Sequence, residues 1–342
     1  RKHSSGNGNA VREISAFLFD NGVDEPPARL SAPRPSLSSG SYIYGEGFLF
    51  EDGNSKATPL SEVSAIVEVQ PASRQRIFPY IGGDEVNNDP IHSPRRQVIF
   101  FSDLAEESDL IKWPILERIV RGKVKPLRDS LGPNPVNEPL RKRWWAYQAH
   151  RPELYERLRV LKTALVCSQV TTHLSWAFVP SNQIFSHKLA VVTDERQQVF
   201  AALQNRLHEV WARFQSSTLG DALNYAPTDC FETFPFPIGF ETSAALEVAG
   251  REYYEFRAAF MQDLWLGLTE IYNHFHSPDD ETLARLEALY RKRAANSDWR
   301  TAEAVPADRS PLTLYATPAA ALTAVQRLRA LHAAMDAAVL TA

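Results

Sequence analysis

Apolar residues recur at helical spacing in several long stretches. Over 195–215 they fall at Val199, Ala202, Leu203, Leu207, Val210, Trp211 and Phe214. Over 243–276 they fall near one stripe, at Leu246, Tyr253, Phe256, Phe260, Leu264, Leu268, Ile271 and Phe275. Shorter helices are predicted over 108–121 and 151–160. Residues 279–295 form another, opened by Asp279, Asp280 and Glu281, whose charges suit a helix N-terminus. Residues 318–340 are Ala/Leu-rich and helical, and Ile14, Phe17 and Leu18 give 11–21 the same spacing. A different texture starts at Ser41. SYIYGEGFLF, VSAIVEVQ, RRQVIFFSD, ALVCSQV, LSWAFVP and KLAVVTD are short β-branched and aromatic runs parted by turn residues, which predicts strands. Before them, EPPARLSAPRPSLSSGS reads as a Pro/Ser-rich linker. The expected plan is a tail and linker over 1–40, an α/β (α+β) domain of mixed short strands over 41–240, and an all-α helical domain over 241–342.

Composition narrows the class. With 342 residues, 44% hydrophobic and 23% charged, the chain is globular and of two-domain size, so disorder throughout is excluded. No apolar run reaches the roughly 18–20 residues that span a bilayer, so no membrane partner is expected. The start, RKHSSGNGN, lacks Met and an apolar signal region, and AMDAAVLTA stops within a helix. Both read as a piece of a longer polypeptide. Cys167 and Cys230 are too few for a disulfide scaffold or a paired-cysteine zinc site, which suits a reducing cytoplasm.

Charge is uneven. Residues 112–162 hold thirteen Lys/Arg against five Asp/Glu, or +8; with −4 overall, the remainder carries −12. In RKRWWAYQAHRPELYERLR, aromatics are interleaved with cations. Two readings stand: a phosphate-binding patch, or a solvated face with the tryptophans in a core.

Catalytic patterns are incomplete. His208-Glu209 opens an HExxH pattern that ends at Ala212, and Gly45-x-Gly47 is a lone GxG. GxxxxGK[ST] and GxSxG do not occur. Cys167 and Cys230 read as buried inert thiols, with a Cys167–His173 dyad as the weaker alternative. Asp84-Glu85, Asp194-Glu195 and Asp279-Asp280 read as loop or helix-start acids. These features describe a binding module rather than a self-contained enzyme.

Several blocks carry a resemblance. QNRLHEVWARFQSSTLGDALNYAPTDCFETFPFP (204–237) and IFPYIGGDEVNNDPIHSPRRQVIFFSD (77–103) resemble the C-terminal target-recognition region of type IIG/IIL restriction-modification adenine-N6 DNA methyltransferases, the MmeI-like class. SYIYGEGFLFED, RKRWWAYQAHRPELYERL, CSQVTTHLSWAFVPSNQIFSHKLAVVT and GLTEIYNHFHSPDD fall in the family's order. The resemblance covers roughly 11–290 and the last helix; residues 290–318 depart from it and are expected to be an inserted surface loop.

The resemblance implies a parent that methylates adenine N6 with S-adenosylmethionine, and partners that are double-stranded DNA and a methyltransferase domain of the same chain. The Asn/Asp-Pro-Pro-aromatic motif is missing, Glu25-Pro26-Pro27-Ala28 being the nearest string. This segment is therefore expected to hold no cofactor and to be non-catalytic alone, while the parent's status as an enzyme stays open. By family position and residue chemistry, Gln169, Thr171, Thr172, His173, Gln204 and Arg206 are the expected base readers. Arg141, Lys142, Arg143, Arg151, Lys162, Arg95 and Arg96 are the expected phosphate clamps. Asn224, Tyr225, Thr228 and Thr233 form a second polar strip, either phosphate-binding or turn-capping. His208 and Glu209 are expected to form a structural pair, and Phe231, Phe234 and Phe236 to seal the domain boundary. Alternatives are a protein-interaction scaffold binding through 243–276, a nuclease-free phage-defence methylase, and an enzyme with an unseen site.

Overall fold

The computed structural model describes residues 28–30, 34–216 and 222–342, with the backbone alone for 3–4, 10–11 and 218–219. The predicted helix over 11–21 lies outside the described residues. The rest is a mixed α/β assembly that ends in helices, as the texture predicts.

The strands are β1 (Leu37–Ser39), β2 (Leu49–Phe50), β3 (Ile77–Ile81), β4 (Arg96–Ile99), β5 (Thr163–Ser168), β6 (Val170–Thr171), β7 (Ala177–Pro180), β8 (Ile184–Phe185), β9 (Leu189–Val192), β10 (Thr218–Leu219) and β11 (Ala222–Asn224). One sheet runs β8-β3-β4-β2, with only β8 and β3 parallel. A second runs β1-β9-β5-β7, antiparallel throughout, with Ala190 opposite both Ser39 and Cys167. A small third sheet joins β10, β11 and β6. The first two meet where the 186 amide donates to the Ile81 carbonyl. Gly40 passes through this junction, where a Cβ would sit 2.3 Å from the Ser186 carbonyl oxygen, so only glycine fits.

Two sequence expectations are corrected here. The end of the Pro/Ser-rich stretch is β1, an edge strand rather than linker. VSAIVEVQ is not a strand but α1 (Glu62–Val69). Val63 and Ile66 are its buried positions while Val69 is exposed, and that i, i+3 burial is helical.

The other helices are α2 (Gly83–Asn88), α3 (Pro114–Lys123), α4 (Lys125–Asp129), α5 (Asn137–Lys142), α6 (Pro152–Leu158), α7 (Gln197–Gln204), α8 (Arg206–Gln215), α9 (Ala244–Leu264), α10 (Leu268–His276), α11 (Asp279–Ala294), α12 (Trp299–Ala302) and α13 (Pro318–Thr341). The predicted helix over 195–215 is thus two. Asn205 has extended backbone, its Oδ1 accepts from the His208 amide, and its Nδ2 donates to the Ala201 and Ala202 carbonyls. One side chain therefore closes α7 and caps α8. The predicted helix over 243–276 is also two. Trp265 turns left-handed (φ 50°), and Gly267 lies 2.5 Å, as a virtual Cβ, from the Asn87–Asn88 backbone.

Two hydrophobic cores result. Phe48, Phe50, Val98, Ile99, Phe101, Leu116, Val120, Trp144 and Trp145 build the first. Leu165, Val166, Val191, Phe200, Phe231, Tyr253, Phe260, Ile271, Leu328 and Met335 lie in the second. Residue 240 marks a change from strands to helices rather than a break in packing, because the second core runs across it. Phe231 and Phe234 are buried there and Phe236 packs against both, at ring distances of 5.6 and 5.7 Å. The 290–318 segment is tied down rather than loose. Arg293 donates to the Leu264 and Trp265 carbonyls and pairs with Glu303, while Asp263 accepts from the amides of 313, 314 and 315.

Candidate nucleic-acid interface

The break at Asn205 rotates α8 away from the phase that a continuous helix would impose. His208 and Ala212 face the core, while Leu207 is 44% and Val210 53% exposed. Of the expected apolar face of 203, 207, 210 and 211, only Leu203, on α7, is buried in the core. Leu207, Val210, Trp211, Pro235 and Val339 instead line an open apolar groove of about 600 Å³.

Gln204 is corrected for the same reason. It is 4% exposed; its Oε1 accepts from the Trp176 amide and Arg257, and its Nε2 donates to the Leu174 carbonyl. With its amide engaged, it does not reach a groove. Gln169 is half-buried, donating from Nε2 to Ser39 Oγ and the Leu189 carbonyl. Thr171 is buried and donates to the His173 carbonyl. These three shape the loop.

Thr172, His173 and Arg206 do come together. β5 delivers the loop after Ser168, and β6 pairs it with β11. Arg213 Nη2 donates to the Thr172 carbonyl at 3.0 Å and Arg213 Nε to Glu209 at 2.9 Å. Arg206 Nη1 donates to the other Glu209 oxygen at 2.9 Å and is 58% exposed. Burial raises the Glu209 carboxyl, but the Arg213 hydrogen bond and both arginine charges hold it below the usual range. His173 Nε2 bonds Asn273 Oδ1 at 2.9 Å, and its ring stacks on His276 at 5.0 Å. Burial, with His173 beside it, brings His276 down to about 4. The loop, α8 and α10 thus present one polar edge with donors and acceptors side by side. Arg213, Asn273 and His276 were missed. Arg213 was legible as i+7 from Arg206, on the same helical face.

His208 and Glu209 part company, against expectation. Glu209 belongs to the surface cluster. His208 is buried and bonds Tyr225 Oη at 2.9 Å, and burial brings it down to about 3. His92 is likewise lowered by burial, to about 4. Both folded values lie below the ordinary 6.5, so unfolded chains bind more protons as pH falls. We therefore expect stability to drop from pH 6.5 downward, each histidine adding a slope of about 1.4 kcal/mol per pH unit down to its folded value. Urea titrations at several pH values check this: His208→Gln should flatten the dependence, and an unchanged slope would refute the assignment.

The expected clamps stand on separate elements. Arg141 is exposed, and Lys142 pairs with Glu138 on the α5 surface at 2.8 Å. Arg143 is exposed as well, but its Nη2 donates to the Ser102 and Leu104 carbonyls. Arg151 is exposed at the start of α6 with φ 63°, and Lys162 is exposed before β5. Arg95 faces Asp89 at 3.4 Å. Arg96 is not a surface clamp: Nε and Nη2 pair with buried Glu85 at 2.9 and 2.8 Å. The tryptophans of the basic segment, Trp144 and Trp145, are core residues, meeting edge-to-face.

Other candidates have structural roles. Tyr225 is buried against Trp176, and Thr233 accepts from Trp211 Nε1, so neither is a phosphate ligand. Thr228 is a turn residue bonding Asp229, and Asn224 lies in β11. Burial pushes the Cys167 thiol well up and Cys230 to about 12, and His173 is engaged by Asn273, which fits inert thiols rather than a dyad. Gly45-x-Gly47 does not fit a nucleotide cradle, since a Cβ at Gly47 would lie 2.5 Å from Lys123. Among the described residues, no three His, Cys, Asp or Glu come together as a metal site, and no helix is long and apolar enough to cross a membrane.

None of the curated proteins matches this chain. Among solved structures it is similar to the type IIL restriction-modification enzyme MmeI, solved in complex with DNA. The TM-score is 0.61 at 19% identity, covering 94% of this chain and 39% of that one. At that identity the likeness is one of fold, and this chain spans about two-fifths of the solved relative's length. The family described as MmeI, target recognition domain, matches residues 35–238. That is more than half the chain, and this protein belongs to the MmeI target recognition domain family.

Proposed function

We propose that this chain is the DNA target-recognition region, with its C-terminal helical part, of a cytoplasmic site-specific adenine-N6 DNA methyltransferase of the restriction-modification type. The observation that carries the reading is the polar edge where Thr172, His173 and Arg206 converge with Arg213 and Asn273. Such an edge offers two-point hydrogen bonding to base edges. The fold shared with MmeI, which was solved with DNA, supports it further. In this reading the methyltransferase domain of the same polypeptide holds S-adenosylmethionine and carries out transfer to a base swung out of the duplex. This chain holds the duplex and reads its sequence. Against a scaffold acting through 243–276, α9 and α10 spend Leu246, Tyr253, Phe260 and Ile271 on the core.

Phosphate clamping falls to four exposed cations, Arg141, Lys142, Arg151 and Lys162, while Arg95 is drawn to Asp89 and Arg143 is held by two backbone carbonyls. Replacing Arg141 or Lys142 by alanine is expected to weaken every duplex about equally. It should also shallow the salt slope by about one counterion per contact. Arg143→Ala should instead lower stability, because its guanidinium serves two carbonyls. Anisotropy titrations of random-sequence duplex between about 50 and about 200 mM salt check this. Absence of duplex binding at the lower salt would refute the reading.

A further inference from the structure

A cleft of about 530 Å³ opens between β3, α2 and the 186–188 turn. Its wall is aromatic: the Tyr42 ring lies 4.2 Å from His187 and 5.7 Å, edge-on, from Tyr44. Tyr44 is held with φ 40°, a strained backbone for a side-chain-bearing residue, and such strain gathers at functional positions. Its ring is pinned from behind by buried Arg128 at 5.1 Å. Nε and Nη1 of Arg128 have no partner among the described residues. Arg96 also lines the cleft, over the Tyr80 ring at 5.0 Å and fixed by Glu85 through Nε and Nη2. Nη1 makes no hydrogen bond among the described residues, leaving a second edge of the guanidinium to a ligand. Glu51, whose Oε2 accepts from Asn54 and whose Oε1 lies 3.8 Å from Arg96 Nε, and Asp84, which accepts from Asn88, also line the cleft and keep further lone pairs for a donor. A Cβ on Gly83 would meet Ser168 Oγ at 2.6 Å, so the cleft floor adjoins the base-reading loop.

The charges identify the ligand. Glu46, Glu51 and Asp84 outnumber Arg96 and Lys188, and Arg96 is already neutralised by Glu85, so a phosphate is disfavoured. A fixed guanidinium edge seeks two adjacent acceptors, a carboxylate seeks N–H donors, and an aromatic wall seeks a flat ring. Guanine offers O6 and N7 on one edge and N1–H and N2–H on the next. Arg96 sits in the cleft and cannot extend into a groove without abandoning buried Glu85, so the base must leave its stack. We propose that this cleft takes a single guanine unstacked from the nucleic acid, gripped by Arg96 and Glu51 against Tyr44. This deepens the DNA-recognition reading and rests on it.

The probes are the free nucleotides dGMP, dAMP, dCMP and dTMP, titrated into the full chain and followed by NMR, which does not depend on duplex binding. We expect dGMP to saturate shifts of the Tyr44 and His187 signals at least about tenfold more tightly than the other three. Tyr44→Gly relieves the backbone strain and removes the wall; with the fold checked by circular dichroism, it should weaken dGMP about tenfold. Arg96→Lys keeps the charge beside Glu85 but loses the planar edge, and should do the same. Equal affinity for all four nucleotides, preference for dCMP, no saturable binding, or wild-type dGMP binding by both variants would each overturn the proposal. If those results came with intact duplex binding, DNA recognition would stand and the guanine cleft alone would fall.

Discussion

Arg257→Ala is expected to destabilise the protein by about 3–5 kcal/mol, the range for breaking a buried charged network. Arg257 is fully buried on α9. It donates to the Trp176 carbonyl, to Gln204 Oε1 at 3.1 Å and to Tyr272 Oη at 2.9 Å. Those partners lie before β7, on α7 and on α10, so one guanidinium ties the helical part to the sheet. Among the described residues, no carboxylate pairs with it. Phe200, Tyr253, Tyr254 and Tyr272 surround it at 5.3–5.9 Å, and ring faces stabilise a desolvated cation. Alanine would leave a cavity and strip a donor from a buried carbonyl. Arg257→Met fills the space and should recover part of the loss. Urea denaturation measures both; a midpoint unchanged by alanine would contradict the network's role.

Arg206→Ala is expected to relax preference at one base pair by about 1–3 kcal/mol, roughly 5- to 150-fold, with little change in binding to unrelated duplex. The reason is geometric. Arg206 is exposed and held at one end by Glu209, which Arg213 braces from the other side. Arg213→Ala should act more broadly, since it frees Glu209 and releases the Thr172 carbonyl together. Gln169→Ala should disturb the whole loop, because its amide bonds Ser39 and Leu189 rather than solvent. Competition with single-position variants of the target separates these cases. Uniform loss across all sequences for Arg206→Ala would place Arg206 among the clamps.

Local patterns carried part of this arrangement and not the rest. The helices over 279–294 and 318–341 were legible from a run opened by acids in one and a long Ala/Leu-rich run in the other. α1 was misread because six of its eight residues are β-branched or small and imitate a strand, although burial at 63 and 66 follows helical spacing. The continuous phase drawn across 195–215 put Gln204 outside and Leu207 inside. A single capping asparagine reversed both. Thr172 and Arg206 were visible as exposed polar positions. Asn273 and His276 were not, since only tertiary folding brings α10 to a loop a hundred positions earlier. The basic segment looked like a uniform patch. Intramolecular partners in fact hold Arg121, Lys125, Arg128 and Arg143.

The central claim is that this chain reads a DNA sequence through the 172–173 loop and Arg206. Selection of randomised duplexes on the purified chain, at two salt concentrations, tests it most directly. The account predicts enrichment of one short asymmetric motif, with total binding weaker at the higher salt and the motif's advantage lost in Arg206→Ala. Binding with no enriched motif, or an enriched motif indifferent to Arg206, would contradict it.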